Sequence, residues 1–259
     1  MSTADLQSLS RFAHQLADTA RPIALSYFRR SVPVEHKADA SPVTVADRET
    51  EATLRDMITR RFPEHGIYGE EHGSLHPGRP YTWVIDPIDG TRAFISGMPL
   101  FGTLIGLLEH GQPLLGILEV PALGERWEGV RGHPSLMNGQ PCQVSHCQSL
   151  ERAILYSTAP EMFRGEDLGR YQRLVDAVHL RRFGGDCYSY GLLASGHVDL
   201  VVEADLAPYD ILALVPVIES AGGVVSDWRG RPLGLDGDGR VIAAATPALH
   251  RQALAILGA

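Results

Sequence analysis

Cysteine is scarce in this chain: Cys142, Cys147 and Cys187 are the only three in 259 residues. They form no C-x-x-C pair, and an odd count closes no disulfide framework, which points to a reducing compartment. No apolar run reaches the roughly 20 residues that a bilayer requires. The first residues are polar and charged where a secretory leader would be apolar, so the expectation is a cytoplasmic protein. Positive charge is also short: 23 Lys and Arg face 31 Asp and Glu, a net charge of −8. That argues against a general nucleic-acid or anionic-membrane binder and makes cations the natural partners of any clustered carboxylates. Internal repeats and low-complexity segments are lacking too.

What is present suits an ordinary globular protein with ample core. Leu6, Leu9, Phe12, Leu16, Ala20, Ile23 and Tyr27 recur at helical spacing, predicting an amphipathic helix over 4–30 that Pro22 kinks or splits. Residues 32–41 read as a loop, with mobility open. A second helix is predicted over 45–62, capped by Thr44, and then a Gly- and His-rich loop over 65–80. His65, His72 and His76 fall in that loop and read as solvated rather than metal-binding. Apolar runs at 100–108 and 113–120 predict a hairpin, 126–130 a third strand, and Asn138-Gly139 a tight turn. Strands at 153–156, 180–183, 198–203, 224–226 and 241–244 then alternate with helices at 167–178, 187–195 and 208–221. Thr246-Pro247 opens a last helix to Leu257. The expectation is a single domain over 1–259. Its N-terminal half (1–140) holds the helices and an antiparallel sheet, and its C-terminal half (141–259) alternates strands and helices.

Trp83-Val84-Ile85-Asp86-Pro87-Ile88-Asp89-Gly90-Thr91 is the most informative stretch. A β-prone run ends at Asp86, Pro87 removes a donor, and Gly90 permits a turn into a short helix over 91–96. Asp86, Asp89 and the Ile88 carbonyl offer hard oxygen ligands to a divalent cation. The N–H groups of Gly90 and Thr91 suit a phosphate. Taken singly, each acid has a plainer role. Asp86 serves as a turn former and Asp89 as an N-cap. Thr44-x-x-Asp47 is a capping box with Asp in place of Glu, Asp186 caps the 187–195 helix, and Asp210 complements a helix dipole. Glu70 and Glu71 are adjacent loop acids.

Four segments in order nevertheless resemble the magnesium-dependent, lithium-sensitive phosphatase superfamily typified by inositol monophosphatase. They are Ser41-Pro42-Val43-Thr44-Val45-Ala46-Asp47, Gly69-Glu70-Glu71, Asp86-Pro87-Ile88-Asp89-Gly90-Thr91, and Tyr209-Asp210 leading to Glu219-Ser220-Ala221-Gly222-Gly223. The resemblance implies a layered αβαβα sandwich of the α+β class and hydrolysis of a phosphate monoester with two or three Mg²⁺ per site. It implies Glu70, Asp86, the Ile88 carbonyl, Asp89 and Asp210 as metal ligands. Glu70 and Thr91 would orient the attacking water, with Asp47 hydrogen-bonded to Thr91. Tyr209 departs from the usual Trp of that family. Arg92-Ala93-Phe94-Ile95-Ser96-Gly97, Arg182-Phe183-Gly184-Gly185-Asp186-Cys187-Tyr188 and Pro208-Tyr209-Asp210 are similar to its histidinol-phosphate phosphatases. The superfamily resemblance implies Gly90 and Thr91 as contacts of the phosphate and Glu203 of the leaving alcohol, and the subgroup stretches add Arg92 and Asp186 as substrate contacts. Inositol or nucleotide phosphatases, broad-range hydrolases and a catalytically silent member are the competing expectations, and family members are commonly homodimers.

Overall fold

The computed structural model describes residues 3–30, 34–36 and 42–258. Helix α1 (Thr3–Tyr27) runs through Pro22 as one helix rather than two. Pro22 lies on the exposed face while Ala20 and Ala24 are buried on either side, so packing of both halves outweighs one missing hydrogen bond. The loop expected over 32–41 is in part a strand: β1 (Val34–His36) pairs antiparallel with β2 (Pro42–Thr44). The remainder of that stretch, and the expectation of mobility there, lie outside the described residues. Helix α2 (Val45–Arg61) begins at Thr44 as expected.

The segment expected to be a loop over 65–80 contains β3 (Gly66–Gly69) and β4 (Gly73–Leu75). Its signal is weak because glycines bracket only Ile67 and Tyr68, yet Ile67 is buried and β3 pairs parallel with β5 (Tyr81–Asp89). Strand β5 does not stop at Asp86. It continues to Asp89 across a register shift against its neighbour, which accommodates the donor that Pro87 lacks. Helix α3 (Thr91–Ser96) follows. Next come β6 (Gly102–Glu109), β7 (Gln112–Val120), β8 (Glu125–Val130), β9 (Leu136–Met137) and β10 (Gln140–Pro141). Asn138 and Gly139 turn between the last two with positive φ angles of 48° and 77°. These strands make an eight-stranded sheet in the order β10-β9-β8-β7-β6-β5-β3-β4.

The second half supplies β11 (Ile154–Ser157), α4 (Glu166–Ala177), β12 (Leu180–Phe183), α5 (Tyr188–Ala194) and β13 (Leu200–Glu203). It continues with α6 (Pro208–Ile211), α7 (Leu214–Ser220), β14 (Val224–Ser226), β15 (Val241–Ala244) and α8 (Pro247–Leu257). Its five strands form a mixed sheet in the order β12-β11-β13-β15-β14. The single helix expected over 208–221 is two, because Pro216 has no N–H to return to the Leu212 carbonyl and the chain loosens there.

Five layers result. Leu9, Phe12, Leu16, Leu54 and Ile58 of α1 and α2 pack on Trp83, Ile85, Ile105 and Leu115 of the large sheet. Its other face (Val84, Leu104, Leu118) meets α5, α6 and α7, which also cover Val201, Val225 and Ala243 of the second sheet. The outer face of that sheet (Leu155, Leu200, Ile242) packs on α4 and α8. The order is αβαβα, as the resemblance implied. Gly106, Gly116 and Gly129 stand side by side across β6, β7 and β8. A Cβ on Gly116 would lie 1.7 Å from the Ala213 carbonyl oxygen, and one on Gly129 would lie 2.2 Å from the Pro216 backbone. The three glycines therefore form a trough that seats the start of α7, and with it fixes α6 and Asp210 above the sheet. Among the described residues no helix is long and apolar enough to cross a membrane.

Candidate active site

The bulge in β5 brings Asp86 and Asp89 towards Asp210 at the start of α6. One carboxylate oxygen from each lies within 4.8 Å of the others. A main-chain N–H holds each side chain in place: Ile88 N–H donates to Asp86 Oδ1 (3.0 Å), Cys187 N–H to Asp89 Oδ2 (2.7 Å) and Ala207 N–H to Asp210 Oδ2 (2.7 Å). Each aspartate is thus oriented through one oxygen.

Crowding like charges in a buried place disfavours ionisation. Burial, then the charges of Glu70, Asp89 and Asp210, push the Asp86 carboxyl well above the usual range. Burial, then Asp186 and Asp210, raise Asp89 although the Cys187 N–H opposes them. Asp210 is pushed up to about 7, chiefly by burial. Among the described residues no cation stands among the leading causes of these three rises, so a divalent ion would relieve the crowding. The oxygen-only donor set fits magnesium rather than a thiol- or imidazole-preferring metal.

Gly90 turns the chain from β5 into α3 with φ +80°, and a Cβ there would sit 3.2 Å from the Asp186 Cβ. Glycine meets both demands. The first-turn N–H groups of α3 have no intrahelical acceptors. The Thr91 hydroxyl donates to the Ile88 carbonyl at 3.1 Å.

Asp47 completes the capping box that its spacing predicts, with Thr44 as the N-cap: its Oδ2 accepts from the Thr44 N–H (2.8 Å) and hydroxyl (2.6 Å). Its Oδ1 is buried without a hydrogen-bond partner among the described residues. The expected hydrogen bond between Asp47 and Thr91 is therefore not made, because each uses other partners. Ala46 nevertheless packs with Ile88 and Phe94, so the start of α2 lies against the β5–α3 turn.

Asp186 does not cap a helix. It takes φ +43°, and Cys187 precedes α5 with no side-chain cap. Its carboxyl is pushed up to about 6 by burial, while the exposed Arg92 pulls the other way. Glu203 ends β13. Its Oε1 accepts from the Thr158 N–H (2.9 Å) and hydroxyl, and its Oε2 from the Tyr190 hydroxyl (2.7 Å). Burial raises Glu203 to about 7 against these donors. A cavity of about 220 Å³ is lined by Glu70, Asp86, Ile88, Asp89, Gly90, Thr91, Arg92, Asp186, Glu203 and Asp210. Every expected site residue except Asp47, whose Oδ1 is buried, borders this cavity.

Glu51, which belongs to none of the motifs above, also supports the site. It is fully buried on α2, accepts from the Glu71 N–H (2.6 Å) and His72 N–H (3.1 Å), and pairs with Arg55. It thereby ties down the turn that carries Glu70. Its spacing of four from Asp47 on one helix was the available signal. Thr158, Tyr190 and Met162, which also line the cavity, carried no motif.

A model of the inositol monophosphatase family matches residues 5–258. The chain is 43% identical to bifunctional phosphatase IMPL2, chloroplastic, of Arabidopsis thaliana, over 98% of this chain and 76% of that one. It is 40% identical to a histidinol-phosphatase of Chlorobaculum parvum, over 99% and 97% of the two chains. Among solved structures, an inositol monophosphatase from Zymomonas mobilis aligns over the whole of both chains with 43% identity and a TM-score of 0.91.

Proposed function

The chain belongs to the inositol monophosphatase family, and we propose that the phosphate monoester it hydrolyses is histidinol phosphate, late in histidine biosynthesis. The observation that carries this reading is a further pair of carboxylates, Asp186 and Glu203, bordering the same cavity as the three aspartates. Histidinol phosphate carries an ammonium and an imidazole beyond its ester, and such a pair complements them. The histidinol-phosphatase relative at 40% identity over almost the full chain supports the same substrate.

Asp86, Asp89, Asp210, Glu70 and the Ile88 carbonyl would hold two or three magnesium ions. Bound there, magnesium would supply an activated water and offset the charge of the phosphate and the departing alkoxide. The chain's own groups do the rest. N–H groups of Gly90 and Thr91 receive the phosphate, and Glu70 and Thr91 orient the water. Were the Ile88 carbonyl to serve a cation, the Thr91 hydroxyl could exchange it for another acceptor, and we assign the unpartnered Oδ1 of Asp47 to that role. Arg92 and Asp186 border the alcohol end. We read the two halves as one domain, and the protein as a cytoplasmic homodimer.

Hydrolysis of inositol phosphate is the second reading, favoured by the likeness to the Zymomonas mobilis inositol monophosphatase. Comparing kcat/KM for histidinol phosphate, inositol 1-phosphate, a nucleoside monophosphate and an aryl phosphate, each with and without Mg²⁺, separates the two. Histidinol phosphate is expected to lead by at least about tenfold, the worth of one charge-assisted hydrogen bond. A lead for inositol phosphate overturns the first reading.

A further inference from the structure

Glu203 is held far more tightly than a group that merely borders a cavity needs to be. An ionised carboxylate has about four acceptor positions, two on each oxygen. The Thr158 N–H and hydroxyl take both positions on Oε1, and the Tyr190 hydroxyl takes one on Oε2. Among the described residues one position remains, on Oε2. The donors come from different elements. Thr158 directly follows β11, which runs parallel to β13, and Tyr190 lies on α5 with only 1% of its surface exposed. The Ser157 hydroxyl also donates to the Val202 carbonyl (2.7 Å), fastening the two strand ends beside each other.

We propose that Tyr190 and Thr158 are specificity-positioning residues, which fix Glu203 so that it offers a single acceptor to the alcohol portion of the substrate. The proposal rests on the reading above, in which Glu203 contacts that portion. It deepens that reading by defining the substrate class: phosphate esters whose alcohol presents one N–H or O–H donor towards Glu203. A free carboxylate would rotate and accept several donor arrangements. A clamped one accepts one, and the side chains that clamp it set selectivity without touching the ester.

The test is a double-mutant cycle on the magnesium-loaded enzyme, using histidinol phosphate and p-nitrophenyl phosphate, which has no amine. Tyr190→Phe removes the hydroxyl and keeps the ring. It is expected to raise KM for histidinol phosphate more than it lowers kcat, and to cost this substrate at least about fivefold more in kcat/KM than the aryl ester. Added to Glu203→Gln, it is expected to cost less than about twofold further, because a residue acting through Glu203 has nothing left to position. Thr158→Val should reproduce the selective loss, and Thr158→Ser, which keeps the hydroxyl, should restore most of it. That pair decides the matter if Tyr190→Phe does not fold.

Equal losses on both esters, or losses that add fully in the double variant, overturn the proposal. If Glu203→Gln is selective while Tyr190→Phe and Thr158→Val are not, the positioning role falls and the reading of Glu203 survives. If Glu203→Gln is itself unselective, or the wild type does not hydrolyse histidinol phosphate, both fall together.

Discussion

Replacing Asp210 by Asn should stabilise the metal-free protein while weakening its response to magnesium. Asp210 is lifted from 3.8 to about 7, first by burial and then, against the Ala207 N–H, by the charges of Glu70 and Glu203. Each pH unit of such a rise corresponds to about 1.4 kcal/mol between the protonated and ionised forms, an upper limit of about 4 kcal/mol at pH 8. Asp86 and Asp89 share the same crowding, so one amide is expected to recover about half, ~2 kcal/mol. For a chain of this size that is a rise in Tm of roughly 4–8 °C. The amide oxygen still accepts from the Ala207 N–H, so the turn into α6 is kept. Because the folded-state values are raised, the stabilisation of the wild type by protonation is complete below about pH 4. It is lost as the pH rises through about 6 for Asp186 and about 7 for Asp210. In EDTA the wild-type Tm should therefore fall between pH 5 and 8, and Asp210→Asn should flatten that slope. Calorimetry in EDTA and in Mg²⁺ across this range measures both effects. A variant less stable than wild type in EDTA at pH 8, or one that gains as much from Mg²⁺, would refute the reasoning.

Asp47→Asn distinguishes a cap from a working group. We expect at most ~1 kcal/mol of lost stability but a fall in kcat of at least about a hundredfold, read from Tm and turnover on the same preparation. Glu51→Gln breaks a buried pair with Arg55 and weakens the hold on the Glu70 turn. It should cost about 3 kcal/mol and reduce the Tm gain on adding Mg²⁺, whereas a purely structural role would leave that gain intact. Gly116→Ala should destabilise by about 3 kcal/mol or more, since its methyl would meet the Ala213 carbonyl, and a denaturant midpoint within error of wild type would dismiss the trough.

Most elements of the fold could be read from the sequence wherever periodicity and capping agreed. Thr246-Pro247 opens α8 and Leu257 ends it, as the residues announce. The failures have a common cause, which is long-range pairing overriding local cues. Strand β3 looks like loop because its apolar content is two residues, and it is ordered by its parallel neighbour β5. Strand β5 passes Pro87 because a bulge takes up the missing donor, which no local rule foresees. The glycine trough was invisible for a different reason. Gly106, Gly116 and Gly129 lie ten and thirteen residues apart, and only the register of β6, β7 and β8 aligns them.

The candidate site was more legible than the fold around it, and Asp47 explains why. Read alone, Thr44-x-x-Asp47 is a capping box, and the cap is there. Yet, while the neighbouring Ala46 packs with Ile88 and Phe94, the cap occupies only Oδ2 and leaves Oδ1 buried without a partner among the described residues. The same holds for Asp86, Asp89 and Asp210, each tied to a main-chain N–H through one oxygen. A carboxylate has two oxygens, so the plain local role and the role in the site do not compete. The local bond orients the side chain that the site needs. For such a group, capping and catalysis are therefore not alternatives. What separates a site from ordinary turn and helix-start acids is the convergence of Asp86, Asp89 and Asp210 on one cavity. Motif order along the chain carried that information, whereas no one acid did. Thr158 and Tyr190 carry no sequence signal because they act through a neighbour, Glu203, and only contacts in three dimensions reveal them.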